Sequence, residues 1–510
     1  MKNSEYLFFL IKSMTKRDRD NLMRYTRIRG KKVDHKYMEL FRAIDRQASY
    51  DEAVLKREFD FSNFSEAKKH LMQLILRVLR IFDQHPETEM QNRLTEIRIL
   101  LDRDLHHFAM KKIHQARTLA LREERYHALS DLADYQLMAL PFVESPSELQ
   151  VVREQIVSER DHASGQLEAI RQLKDIQDKE IAAFIDQASR SGRFDPESAR
   201  LLEEREALSR DDEELPVRAR STKYRIFNVI RHQQLDFAGR AEVLERMNSL
   251  FEDNPFLIDE DPVRYIFSLG GYGMCLNVIG RYQDALVATM KLRELRTEKV
   301  NLSRSVFLNF ATNISIYTLR TGDTGPFSQH LPYLLNALRE HRPHTPGPTL
   351  TYIHYLLSID FWLSGDIRRA NRFAKRVVNA PSGRVNLQAA CRCFLLIFAF
   401  EDNDPDMIVS YARTWKRQWK KKVPTYAVEQ SFTDFMVRFV DLVDWKEQGE
   451  ALQKCLDEVG QLLSGGLKVR ADNFSFILQW MEAKLSRKTL VDIVRERKLE
   501  RDFVGNERIG

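Results

Sequence analysis

Apolar residues recur at three- and four-residue steps along nearly the whole chain, the spacing that lines one face of an α-helix. Between Glu5 and about Phe82 this pattern, exemplified by Leu71, Leu74, Ile75, Val78, Leu79 and Phe82 and broken near Gly30 and Phe61, predicts four short helices forming a head. Ser65, ahead of a charged stretch and then the apolar stripe, fits an N-cap. From Glu89 to Phe142, Leu94, Ile97, Leu100 and Leu101 mark one amphipathic helix, and Ile113, Ala116, Leu119 and Ala120 a second; Pro141 and Pro146 end the block. Ser147 to about Ala188 reads as one long charge-laced helix with a thin stripe through Val151, Ile156, Leu167, Ile170, Leu173, Ile176 and Ile181. Ser189–Pro216 holds Gly192, Pro196 and the acidic cluster Asp211–Glu214, the composition of a connection. The expected division is therefore a head over 1–88, a hairpin with a long helix over 89–190, a charged linker over 191–220 and a repeat array over 221–510.

In the array the pattern repeats. Leu269, Tyr272, Gly273 and Leu276 are followed by Gly280, Tyr282 and Ala285, the order helix A, tight turn, helix B. Gly273 and Ala285 lie twelve residues apart, where two closely crossing helices leave no room for large side chains. The turn recurs at Gly322-Asp323, Gly365-Asp366 and Asn403-Asp404, and the helix B site at Ala241, Ala285, Phe327, Ala370, Ile408 and Ala451, a step of about 42 residues.

On those residues, the region from about 225 to 485 resembles the tetratricopeptide repeat superfamily, and Ile97, Leu100, Ala109, Ile113 and Ala116 resemble one more unit outside the array. The whole chain is also similar to long bacterial proteins of this repeat type without assigned activity. The resemblance implies an all-α fold, a tetratricopeptide-like α-α superhelix with an N-terminal helical head, and a groove that holds a peptide or protein segment. It implies no enzyme activity and no cofactor.

Composition adds bounds. Thirty-four Gly and Pro in 510 residues, with 30% charged residues, favour helices over sheets. A net charge of +6 from 80 basic and 74 acidic side chains is nearly balanced and does not by itself mark a nucleic-acid binder. Cys275, Cys391, Cys393 and Cys455 are too few and scattered for a disulfide framework, so buried thiols in a reducing compartment are expected. The N-terminal apolar run Tyr6–Ile11 is too short for a signal peptide, and Cys393–Phe400 falls far short of the roughly 20 residues of a membrane span. A cytoplasmic protein without membrane contact is the expectation.

The candidate binding residues are Arg413, Lys416, Arg417, Lys420, Lys421 and Lys422, a run of cations without an acid, interleaved with Tyr411, Trp415 and Trp419 on one helix face. Two readings fit: a patch for phosphate or an acidic partner with aromatics for stacking, or a repeat helix that buries its aromatics and keeps its cations in water. The first 36 residues carry net +7, which with the break at Gly30 admits a DNA-binding head and hence a ligand-sensing regulator as the alternative to a scaffold. His106, His107 and His114 lack a third ligand in phase for a metal, and Gly270–Gly273 lacks the Lys-Ser or Lys-Thr of a phosphate loop.

Overall fold

The computed structural model describes residues 5–29, 32–145, 147–182, 200, 203–295, 297, 299–381, 384–420, 427–464 and 474–507. The fold is all-α: among the described residues there is no strand, and helices follow one another in antiparallel pairs. The chain forms two compact units, one of residues 1–268 with 296–303 and one of residues 269–295 with 304–510. The division falls inside the helix Pro262–Val278.

The head contains five helices, one more than the pattern predicts: Tyr6–Ser13, Lys16–Arg29, Lys32–Arg46, Glu52–Glu58 and Phe64–Ile81. The unforeseen break follows Met14 and is made by capping, not by a breaker: Asp18 N donates to Thr15 Oγ1 (3.1 Å) while Thr15 N donates to Asp18 Oδ2 (2.9 Å). The cap of the last head helix is Asn63 rather than Ser65, since the extended Asn63 accepts the amide of Glu66. Leu22, Leu40, Ile44, Leu71 and Ile75 are buried in the head's own core. Several of its cations are neutralised there, Lys12 and Arg19 by Asp45 and Lys68 by Glu52.

Next come Pro86–Leu101, His106–Arg122 and Tyr126–Ala139, packed around Ile97, Ala109, Ile113 and Ala116. The long helix begins at Leu149 and runs to Asp175, continuing as a π-helical turn to Ile181; Gly192 and Pro196 lie outside the described residues. The end of the expected linker is ordered by charge. Asp212 binds Lys223 and Tyr224, and the carboxylate of Glu124 accepts the amides of Val217 (2.9 Å) and Arg218 (3.0 Å). Pro216 cannot cap the helix Val217–Gln233 with a side chain, so Glu124 satisfies those free amides and meets the positive helix end.

From Val217 onward, A and B helices alternate: Val217–Gln233 with Phe237–Asp253, Pro262–Val278 with Tyr282–Glu294, Val300–Thr321 with Gly325–His341, Gly347–Leu363 with Ile367–Val378, Val385–Glu401 with Pro405–Lys420, Ala427–Phe439 with Trp445–Ser464, and Ser475–Ser486 with Leu490–Glu507. The first five A helices end in a left-handed residue, successively Leu235, Gly280, Gly322, Gly365 and Asn403. In four of these turns an amide reaches back five residues, as from Asp366 to Phe361 O and from Asp404 to Ala399 O, both 2.9 Å. Asp236, Asp366 and Asp404 then cap the following B helices.

The helix B sites Ala241, Ala285, Phe327, Ala370 and Ile408 are all buried. Ala451 is only half-buried; its neighbour Leu452 occupies the packed position. At Gly270 an added Cβ would lie 2.2 Å from Asn309 Oδ1, and at Gly273 2.8 Å from Asn313 Oδ1. The Gly270–Gly273 segment is thus a helix-packing surface, onto which buried Asn313 docks by donating to Gly270 O (2.9 Å).

Polar groups interrupt the core of the second unit. Arg392 and Glu429 form a two-pronged ion pair with both side chains almost wholly buried. Removing one partner strands a charge, so Glu429→Ala is expected to destabilise the second unit by about 3–5 kcal/mol, whereas the double change Arg392→Met with Glu429→Leu is expected to be near neutral or stabilising, as measured by chemical denaturation. Asp360, also buried, accepts a hydrogen bond from Ser315 (2.5 Å), and burial pushes its carboxyl up to about 8. A carboxyl that holds its proton more tightly when folded contributes stability present below about pH 4 and lost as pH rises through 8, by up to about 1.4 kcal/mol per pH unit. Asp360→Asn is therefore expected to leave stability near pH 4 little changed and to raise it at pH 8, flattening the pH profile of the denaturation midpoint.

Candidate functional site

The basic run singled out in the sequence lies on the helix Pro405–Lys420. Tyr411 and Trp415 stack on each other at 5.1 Å between ring centres, Trp415 is buried, and Trp419 packs partly buried against the core. The aromatic stripe therefore belongs to the interior. Arg413, Lys416, Arg417 and Lys420 are exposed, and Lys416 pairs with Asp434 at 2.5 Å. Lys421 and Lys422 lie outside the described residues. The four cysteines are free and buried, and burial pushes the Cys455 thiol up to about 12. His106 stacks flat on Phe142 at 3.9 Å. Among the described residues no group of three His, Cys, Asp or Glu side chains gathers to hold a metal, and no helix is long and apolar enough to cross a membrane.

A concave feature with convergent charge lies in the first unit. A groove of about 610 Å³ runs between Val217–Gln233, Phe237–Asp253 and the start of Pro262–Val278, with Gln177 and Ile181 at one side. Each of the three main helices contributes one half-buried arginine: Arg225, Arg240 and Arg264. Its apolar wall includes Val229, Leu244 and Met247, and Phe267 stands 57% exposed at the groove.

The three arginines differ in how they are held. Arg264 pairs with Asp261 at 3.0 Å. Arg240 donates from Nε to Asn228 Oδ1 (2.8 Å) and from Nη1 to His232 Nδ1 (3.3 Å). A guanidinium has no acceptor, so His232 must be neutral with its proton on Nε2; burial and then Arg240 hold its pKa down accordingly. Arg225 has neither a hydrogen bond nor an ion pair from its side chain to any described residue. Burial, and then repulsion from Arg264, bring it down to about 10, still protonated at neutral pH. Asp261, also in the lining, and Asp178 attract Arg225 without bonding it, so this half-desolvated guanidinium keeps its planar fork free for a carboxylate or phosphate beside two further arginines.

No local motif announces this groove, because its arginines come from three helices and meet only in the tertiary fold. One signal does exist in the sequence. The helix Val217–Gln233 contains five Lys and Arg and no acid, so its cations must find partners elsewhere. Arg218, Lys223 and Arg231 find them in Glu260, Asp212 and Glu203, which leaves Arg220 and Arg225 over, and of these two Arg225 lines the groove.

Because Arg225 loses hydration without gaining a hydrogen bond or a close ion pair, Arg225→Gln is expected to leave the thermal midpoint of the protein unchanged or raise it by a few degrees, the reverse of what a structural arginine would do. Differential scanning calorimetry of the two proteins checks this. Compared with known proteins, the chain matches no family model and no curated sequence.

Proposed function

We propose that the chain is a non-enzymatic interaction scaffold of the cytoplasm whose tetratricopeptide-like hairpins hold an acidic peptide or protein segment. The observation that carries this reading is the groove of Arg225, Arg240 and Arg264 with exposed Phe267 beside it. The arginines would take carboxylates and the apolar wall an interleaved apolar side chain, which is how an extended segment is read by pockets along a groove. Four free buried thiols fit a reducing compartment. The order of A and B helices and the small residues at their crossings support the likeness to tetratricopeptide arrays.

The test uses a fluorescein-labelled peptide alternating Glu and Phe, and its counterpart with Gln for Glu, titrated with the full chain by fluorescence anisotropy. Binding of the acidic peptide is expected to weaken steeply with salt and to fall roughly tenfold or more in Arg225→Gln, since a charge-assisted hydrogen bond is worth about 1.5–3 kcal/mol. Equal binding of both peptides, or an unchanged affinity in Arg225→Gln, would sink the proposal.

A further inference from the structure

A second basic cleft lies in the second unit, far along the sequence from the groove. It has a volume of about 400 Å³ and opens between the short turn Arg342–His344, the first half of Gly347–Leu363 and the end of Ile367–Val378. Arg342, Lys375 and Arg376 line it, and among the described residues it has no carboxylate in its wall. None of the three has an ion pair to a described residue, although the neighbouring surface cation Arg369 pairs with Asp366. Arg376 lies 4.9 Å over the ring of Phe373. Burial, and then repulsion from Arg342 and Arg372, lower its proton affinity.

Two features separate this cleft from an ordinary solvated helix face. His354 lines it yet is only 6% exposed, and its Nε2 is buried with no hydrogen-bond partner among the described residues. Burial, and then Arg376 and Arg342, bring His354 down to about 4, so a neutral imidazole sits among cations. Buried polar nitrogens are nearly always satisfied, and one left over beside a cleft points to a missing partner. The second feature is Gly347 in the lining. Gly347 begins a 17-residue helix, whose positive end therefore borders the cleft that the three cations line.

The anion this arrangement fits is compact and carries more than one negative charge, because three cations and a helix start converge with no acid among the described residues of the wall to offset them. The rest of the lining, Leu350, Ala380 and Pro381, is apolar and leaves room for a small hydrophobic body beside the charge. We propose that this cleft binds a phosphomonoester, with the phosphoryl group among Arg342, Lys375, Arg376 and the start of the helix at Gly347, and an apolar or aromatic body over Leu350 and Pro381 within reach of His354. The same chemistry is offered by a free phosphorylated small molecule and by a phosphorylated side chain. The binding site is independent of the acidic-segment groove.

Isothermal titration of the full chain at low ionic strength with phenyl phosphate, benzenesulfonate, inorganic phosphate and a short phosphoserine peptide tests the proposal. Saturable binding of phenyl phosphate, tighter than benzenesulfonate by about tenfold, is expected, and Lys375→Gln with Arg376→Gln is expected to weaken it by at least roughly tenfold. Arg342→Gln, an exposed side chain on the turn that follows the helix Gly325–His341, is expected to give the same loss without altering the helices that carry Lys375 and Arg376. Arg225→Gln should leave the phosphate titration untouched, which separates failure here from failure of the groove. Preference for phenyl phosphate assigns a free ligand, and preference for the phosphoserine peptide assigns a modified protein. No saturable binding of either, or wild-type affinity in the folded Arg342→Gln and Lys375→Gln/Arg376→Gln proteins, overturns the site.

Discussion

The left-handed turn that ends helix A is the constraint on which the hairpins from Val217 to Lys420 depend. One residue of positive φ, at Leu235, Gly280, Gly322, Gly365 or Asn403, reverses the chain so that helix B returns along helix A. Glycine adopts this conformation freely, whereas Leu235 incurs about 1–2 kcal/mol. The backward bond from Asp236 N to Arg231 O and the cap that Asp236 gives Gly239 offset that cost. Since the reversal is fixed within two residues, the site one turn into helix B must meet helix A closely, which is why alanine recurs there at 241, 285 and 370. The groove inherits its geometry from the same device, for the turn at Leu235 is what brings Arg240 back beside Arg225 and Asn228.

This dependence explains what the sequence discloses. A Gly-Asp or Asn-Asp pair is a local signal with a local cause, so the turns at 322, 365 and 403 are legible and carry the register of the buried sites after them. At the connection before Trp445, which has neither such a pair nor a left-handed residue among the described residues, the register slips: it is closed instead by Gln448 reaching Leu442 O, and the packed residue is Leu452, not Ala451. The head gains a helix for a related reason, since its first break rests on the reciprocal bonds of Thr15 and Asp18 rather than on a breaker. Charge follows the opposite logic. The contiguous cations from Arg413 to Lys420 are conspicuous in sequence because they neighbour one another on one surface helix, with Lys416 already paired. Arg225, Arg240 and Arg264 are inconspicuous because their proximity is tertiary.

The cost of that convergence bears on its meaning. Folding readily supplies partners for cations on acid-free helices, as Glu260 does for Arg218 and Asp212 for Lys223. Leaving Arg225 half-buried, with Asp261 and Asp178 acting on it only without direct contact, forgoes stability that a carboxylate bonded to it would provide. Proteins tolerate such local conflicts chiefly where a ligand resolves them. In the second cleft Arg342 and Arg376 repel one another beside Lys375, with no acid among the described residues of its wall.

Two helices of the second unit raise a separate difficulty. Gly347–Leu363 and Val385–Glu401 are buried on nearly every face over much of their length, so no amphipathic stripe fixes their rotation. Apolar contact alone is satisfied by several rotations of such a helix. The contacts of Asp360 with Ser315 and of Arg392 with Glu429 are directional and distinguish one rotation from the others, because any other would leave a buried charge or carboxyl without its partner. Their position then has a consequence at the surface. His354 lies six residues before Asp360 on the same rigid helix, so the rotation that joins Asp360 to Ser315 also sets His354 against Phe373 at the edge of the cationic cleft. A polar contact in the core thus determines what the cleft presents to a ligand.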